Sequence, residues 1–199
     1  VTGRVWIDIV REDMPLQLRD ITLPDGMLIQ PGDVIRCEGL EPYSAPPHTE
    51  QYLFTDTTKF TFLRHITPER YAKFLPDHLD RDPHAVLERH ERSLCLVKAT
   101  ELHAMFERDD KRLKSYMLFE LPDMESFDET PVTDLAWRAL GQQWMKAEDV
   151  DELAFDGDDM REKFGEVYLV LGLYRANSLI VRGVHTIPAY AAKINPQQL

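Results

Sequence analysis

The stretch TELHAMFERDDKRLKSYMLFEL, residues 100–121, decides the fold. Apolar and polar residues alternate with period two on either side of Asp109, Asp110 and Lys111, the pattern of two antiparallel strands closed by a tight turn. Along the second arm Leu113, Ser115, Met117, Phe119 and Leu121 share one face, while Arg112, Lys114, Tyr116 and Glu120 share the other. The same period runs outward in both directions. Toward the N-terminus, Val5, Ile7 and Ile9 oppose Arg4, Trp6 and Asp8. Pro31, Gly32 and Asp33 turn the chain before an extended run from Val34 to Leu40, and QYLF, KFTFLRHI and SLCLVK read as further short strands. EPYSAPPH, Glu41 to His48, carries too much proline for a helix or a central strand and reads as an exposed loop. Toward the C-terminus, EVYLVLGLYR and SLIVRGVHTI form a second hairpin about Ala176 and Asn177.

Helix signals are few. Thr67-Pro68 and Asp82-Pro83 each set a capping residue before a proline at the first helical position, which predicts two short helices. Tyr71, Phe74 and Leu75 form the apolar stripe of the first, and Val86 and Leu87 serve the second. Segment 122–165 has one apolar island, VTDLAWRALGQQW, and reads as a strand or short helix followed by a surface excursion. About ten short strands punctuated by Gly, Pro and Asp predict a mainly-β protein of small barrels or sandwiches. One unit of all these strands and two smaller units both satisfy the pattern.

With 199 residues, 43% of them hydrophobic and 29% charged, the chain has ordinary globular composition, which excludes a disordered tail, a collagen-like repeat and a disulfide scaffold. The longest mostly apolar run, Val167 to Tyr174, has strand length and falls short of the ~20 residues of a membrane helix. No charged-then-apolar leader opens the sequence. With Cys37 and Cys95 as the only cysteines, and no CxxC, a reducing, cytoplasmic setting is expected. The net charge of −12 is unevenly spread. Acids stand to bases as 21 to 16 over residues 1–120, 13 to 4 over 121–165 and 1 to 3 over 166–199, so the middle block supplies −9. Such a chain repels phosphate as a whole, yet outside that block it is close to balance and has room for a local basic patch.

Few motifs carry chemistry. His78, His84 and His90 are six residues apart and do not share a helix face, and without CxxC or HExxH no metal or other cofactor is expected. Cys95, between Leu94 and Leu96, reads as a buried small hydrophobe rather than a nucleophile for His90. DELAFDGDDMRE lacks the alternating oxygen ligands of a calcium loop and reads as a solvated loop, or as a docking surface for a basic partner through Asp156, Asp158 and Asp159. There is no phosphate-binding glycine loop and no GxSxG elbow. The hairpin offers more: Arg108, Lys111, Arg112 and Lys114 cluster at its tip, and Arg112 and Lys114 share a face with Tyr116. Cations beside a ring hold single-stranded nucleic acid, the charge tracking phosphates and the ring stacking on a base for ~1–3 kcal/mol. Arg4 and Trp6, on the outward face of the first strand, form a second candidate contact.

Several segments resemble a known family. WIDIV (Trp6 to Val10), DVIRCEGLEP (Asp33 to Pro42), PHTEQYLF (Pro47 to Phe54), SLCLVKATEL (Ser93 to Leu102), YMLFEL through to VTDLAW ending at Trp137, and EVYLVLGL occur in the order of the dual OB domain family of prokaryotic proteins. LGLYR replaces the SLGEP with which that family usually closes its last strand. The resemblance implies two OB-like barrels, with no catalytic set, and a role in recognising nucleic acid or nucleotides, often in anti-phage systems. Its family-like polar residues here are His48, Thr49, Glu50, Thr133 and Asp134. Glu50 and Asp134 are equally readable as buried acceptors that tie loops to backbone amides. A hydrolase in which both carboxylates share a divalent cation is a further alternative.

The expectation is therefore a first OB-like barrel over residues 1–66, a helical insertion over 67–92, and a second barrel over 93–199 with an acidic excursion at 122–165. The module is expected to be non-enzymatic and to bind single-stranded nucleic acid or a nucleotide through the hairpin. The alternative is an adaptor that docks to a larger effector, an ATPase or nuclease, through its acidic surface. No membrane partner is expected.

Overall fold

The computed structural model describes residues 7–11, 18–23, 26, 28–43, 45–109, 112–124, 126–174 and 178–190. The described residues are mainly β, in four sheets. The N-terminal third holds β1 (Asp8–Val10), β2 (Asp33–Glu38), β3 (Glu41–Pro42), β4 (Gln51–Leu53) and β5 (Lys59–His65). β4 lies between β1, parallel to it, and β3, antiparallel to it, while β2 and β5 form a separate two-stranded ribbon. Thr67 then caps α1 (Pro68–Asp77) as the Thr-Pro signal predicts, its hydroxyl oxygen accepting from Arg70 N at 3.4 Å. The helix α2 (His84–Leu87) is one turn, with Pro83 standing at the N-cap itself.

The C-terminal part contains β6 (Leu94–Lys98), β7 (Leu102–Asp109), β8 (Arg112–Phe119), β9 (Phe127–Pro131), α3 (Leu135–Glu148), β10 (Glu152–Phe155), α4 (Gly157–Phe164), β11 (Glu166–Leu173) and β12 (Leu179–Ile187). The period-two reading of the hairpin holds: β7 and β8 pair from Leu102 opposite Phe119 to Asp109 opposite Arg112. Leu102, Ala104, Phe106, Ser115, Met117 and Phe119 face inward and are buried. β10 and β9 flank this pair in a four-stranded sheet, and β12, β11 and β6 make a three-stranded one. β11 and β6 are buried almost throughout, as their continuous apolar runs require. The two sheets share one core in which Cys95, Phe106, Met117, Trp137 and Leu169 meet.

Among the described residues none of the four sheets closes into a barrel, so the expected two OB-like barrels are not confirmed. A helix does the work a second barrel wall would do: α3 covers the apolar face of β7 and β8, and Phe106 stacks on Trp137 with ring centroids 5.5 Å apart. Gly141 permits this approach, since a Cβ there would collide with the Phe106 ring. The segment read as an acidic surface excursion is mostly regular structure, β9, α3, β10 and α4. Its apolar residues fall at helical spacing and bury Trp137, Leu140, Met145, Met160 and Phe164, while its described acids other than the buried Asp134 take outward positions.

No described helix is long and apolar enough to cross a membrane. Cys95 is fully buried and Cys37 exposed, and burial pushes the Cys95 thiol up to about 12. Only the thiolate reacts. A thiol reagent at pH 8 is therefore expected to label Cys37 and spare Cys95 in the native chain, and to label both in denaturant. Rapid labelling of both in the native state would contradict this burial.

Candidate ligand site

The family-like polar residues are ties between elements. Glu50, which is buried, accepts from Ser93 N at 3.1 Å and Ser93 Oγ at 3.0 Å, and also from Thr49 Oγ1 at 3.2 Å. It fastens the N-terminal strands to the start of β6. Asp134 caps α3, its Oδ1 accepting from Trp137 N at 3.0 Å, and its Oδ2 accepts from Val184 N in β12 at 2.8 Å. Thr133 donates from both N and Oγ1 to Val181 O. His48 is half-buried, and its Nδ1 has no hydrogen-bond partner. The oxygens of Glu50 and Asp134 are committed to different amides rather than to a shared cation, and among the described residues no three His, Cys, Asp or Glu side chains gather as a metal site.

Sequence reasoning missed a third buried carboxylate of this kind. Asp8 accepts from Arg182 Nη1 at 3.1 Å and from Gln51 Nε2 at 3.2 Å, linking β1, β4 and β12.

Between these ties a seam opens. A cavity of about 230 Å³ is lined by Gln30, Pro31, His65, Ile66, Tyr71 and Tyr190, together with four small or polar neighbours. His65 ends β5 and donates from Nδ1 to Asp33 Oδ1 at 2.8 Å, while Asp33 Oδ2 accepts from Gln30 N at 2.8 Å. In the neutral imidazole this leaves the lone pair on Nε2. Tyr71, on the inner stripe of α1, meets His185 Nδ1 through its hydroxyl at 2.6 Å. Tyr190 sets its ring at right angles to Trp137, with centroids 5.8 Å apart, and its buried hydroxyl has no hydrogen-bond partner.

Burial, and secondarily the nearby Asp134 carboxylate, holds the Tyr71 and Tyr190 phenols above their ordinary value. Burial pushes His185 down and Asp134 up. The phenols and His185 are therefore uncharged at pH 7 and able to exchange hydrogen bonds. Perturbed groups gathered around one concave, largely apolar site are the usual signature of a binding pocket. No local motif announced this one, because Asp33, His65, Tyr71, His185 and Tyr190 come from four separate stretches of chain.

The hairpin is less open than its sequence implies. Arg108 Nη1 pairs with Asp151 of the acidic block at 3.1 Å, and Lys114 Nζ with Asp109 at 2.6 Å. Tyr116 is half-buried opposite Met105 and Pro131. Arg4, Trp6 and Lys111 lie outside the described residues, as does the side chain of Arg112. The acids proposed for docking have local partners too. Asp156 caps α4 by accepting from the Asp158 and Asp159 amides, Asp159 Oδ2 accepts from Asp156 N, and Asp158 pairs with Arg161. Backbone hydrogen bonds, the largest from Asp159, hold the Asp156 carboxyl below its usual range. In comparison with known proteins, the chain matches no family model, no curated protein and no solved structure.

Proposed function

We propose that the chain is a non-enzymatic recognition module that binds a nucleotide, or the bases of single-stranded nucleic acid, and that the base enters the seam cavity. One observation carries this reading: the phenols of Tyr71 and Tyr190, the latter's hydroxyl without a hydrogen-bond partner, and the imidazole of His65 held by Asp33 line a single cavity of about 230 Å³. That volume lies just under the ~300–1,000 Å³ of typical ligand sites, a size for a ring system rather than for a length of strand. Aromatic walls give a base a stacking partner whatever its identity. Likeness to the dual OB domain family supports the same ligand class and a place in a prokaryotic anti-phage system. For a strand, the hairpin turn is the phosphate contact, through Lys111, Arg112 and Lys114.

The test is titration of labelled homopolymeric oligonucleotides and of mononucleotides into the folded chain at about 50 mM salt. Saturable binding is expected, weakened at least about tenfold by Ala189→Phe, which fills the cavity mouth from an exposed position. Arg112→Ala with Lys114→Ala is expected to weaken the oligonucleotide alone. Absence of binding by a folded sample overturns the reading.

A second reading is favoured by the exposed carboxylates Glu148, Asp149, Asp151, Glu152 and Glu162 of the acidic block, which suit a basic surface on a larger effector. Loss of a co-purifying partner on Glu152→Lys with Glu162→Lys would support it. Those two sites separate docking from the helix cap that Asp156 and Asp159 provide.

A further inference from the structure

We infer that the seam cavity takes an uncharged ring, a nucleobase or nucleoside, and that any phosphate attached to it stays outside; this rests on the cavity being a base-binding site. The inference begins with what is missing from the wall. Among the described residues that line it, none is Lys or Arg. A phosphate drawn inside would lose its water without gaining a cation, a cost that the few neutral donors of this wall do not repay.

The surroundings act in the same direction. Asp33 lies directly behind His65, and Asp134 lies close enough to Tyr71 and Tyr190 to raise both phenols. Arg182 lines an adjoining cavity of about 240 Å³ that shares Pro31 and Ala136 with this one. Its guanidinium is already paired to Asp8, and Asp134 lines the same adjoining cavity. An anion would therefore meet two carboxylates for one guanidinium.

The polar groups that remain specify a neutral edge. His65 Nε2, with its tautomer set by Asp33, accepts a hydrogen bond, and the unpartnered Tyr190 hydroxyl donates one. A ring presenting an N–H beside a carbonyl or ring nitrogen answers both, and every nucleobase has such an edge. Pro31, Ile66 and the Tyr71 ring supply the flat apolar walls. The cavity thus reads the base and is indifferent to the backbone.

Calorimetric titration with adenosine, guanosine, cytidine and uridine, and with their 5′-monophosphates, tests this at about 50 and about 200 mM salt. At least one nucleoside is expected to bind as tightly as its monophosphate or more tightly, with less than about a twofold change across that salt range. Tyr190→Phe, which keeps the ring and its packing, is expected to weaken that nucleoside about tenfold while leaving the melting curve in place. A monophosphate that binds about tenfold more tightly than its nucleoside, with affinity falling as salt rises, overturns the uncharged-ring inference and leaves base recognition standing. Failure of both nucleosides and monophosphates overturns the two together. Unchanged nucleoside affinity in Tyr190→Phe overturns the donor assigned to that hydroxyl.

Discussion

Replacing Glu50 with alanine is expected to cost the fold about 3–5 kcal/mol, the middle of the range for stranding two buried donors at once. The carboxylate sits in a buried pocket and serves Ser93 twice, through its amide at 3.1 Å and its hydroxyl at 3.0 Å. Ser93 is itself buried, with 1% of its surface exposed, so water cannot replace the lost acceptor. Each stranded donor costs ~1–3 kcal/mol. Glu50→Gln keeps one acceptor oxygen and the shape of the side chain, and should lose roughly half as much. Urea denaturation should show a fall in midpoint with an unchanged slope. A loss below about 1 kcal/mol for the alanine variant would mean that Glu50 does not staple the N-terminal strands to β6.

Asp134→Ala comes next, at about 2–4 kcal/mol, because one side chain performs two tasks. Loss of an N-cap costs ~0.5–2 kcal/mol, and stranding the Val184 amide adds ~1–3 kcal/mol. Burial opposes part of this: it pushes the Asp134 carboxyl up, so the ionised form is held at a desolvation cost that alanine removes. The net effect should therefore be smaller than the sum of the two losses. Asp134→Asn, which retains one carbonyl oxygen for the helix amides, should fall between wild type and alanine. The alanine variant should also weaken ligand binding, since the first turn of α3 brings Ala136 to the cavity wall. Equal stability of the aspartate and alanine proteins would show that the α3 cap and the β12 tie are dispensable.

How much of this was readable in advance varies by element. The β7–β8 hairpin was legible because its buried face, Leu102 to Phe106 and Ser115 to Phe119, depends only on period two and a turn. The buried-acceptor reading of Glu50 and Asp134 is the one their hydrogen bonds favour. Helix α3 was hidden by charge. Its island reads as a strand or a short helix and the acidic residues beyond it as an excursion, although Ala136, Trp137, Leu140 and Met145 mark one helical face and Asp134 is a regular cap. The seam site was not legible at all. Asp33 reaches His65 only through the β2–β5 pairing, whose register shifts at Val34 and Ile35, and Tyr71 reaches His185 across 114 residues. Tyr71 was rightly placed on the buried stripe of α1, but an apolar stripe does not say what the hydroxyl at its edge will meet.

The two-stranded β2–β5 ribbon carries both Asp33 and His65, and among the described residues neither strand has another neighbour. A lone pair of strands is marginal in water, whereas the four-stranded sheet is anchored by the main core. Amide hydrogen exchange should therefore be layered, fastest in the ribbon and slowest in β7, β8 and β11. A molecule seated against His65 would slow exchange at Val34 and Arg64, giving a residue-level record of occupancy that requires no label on the ligand.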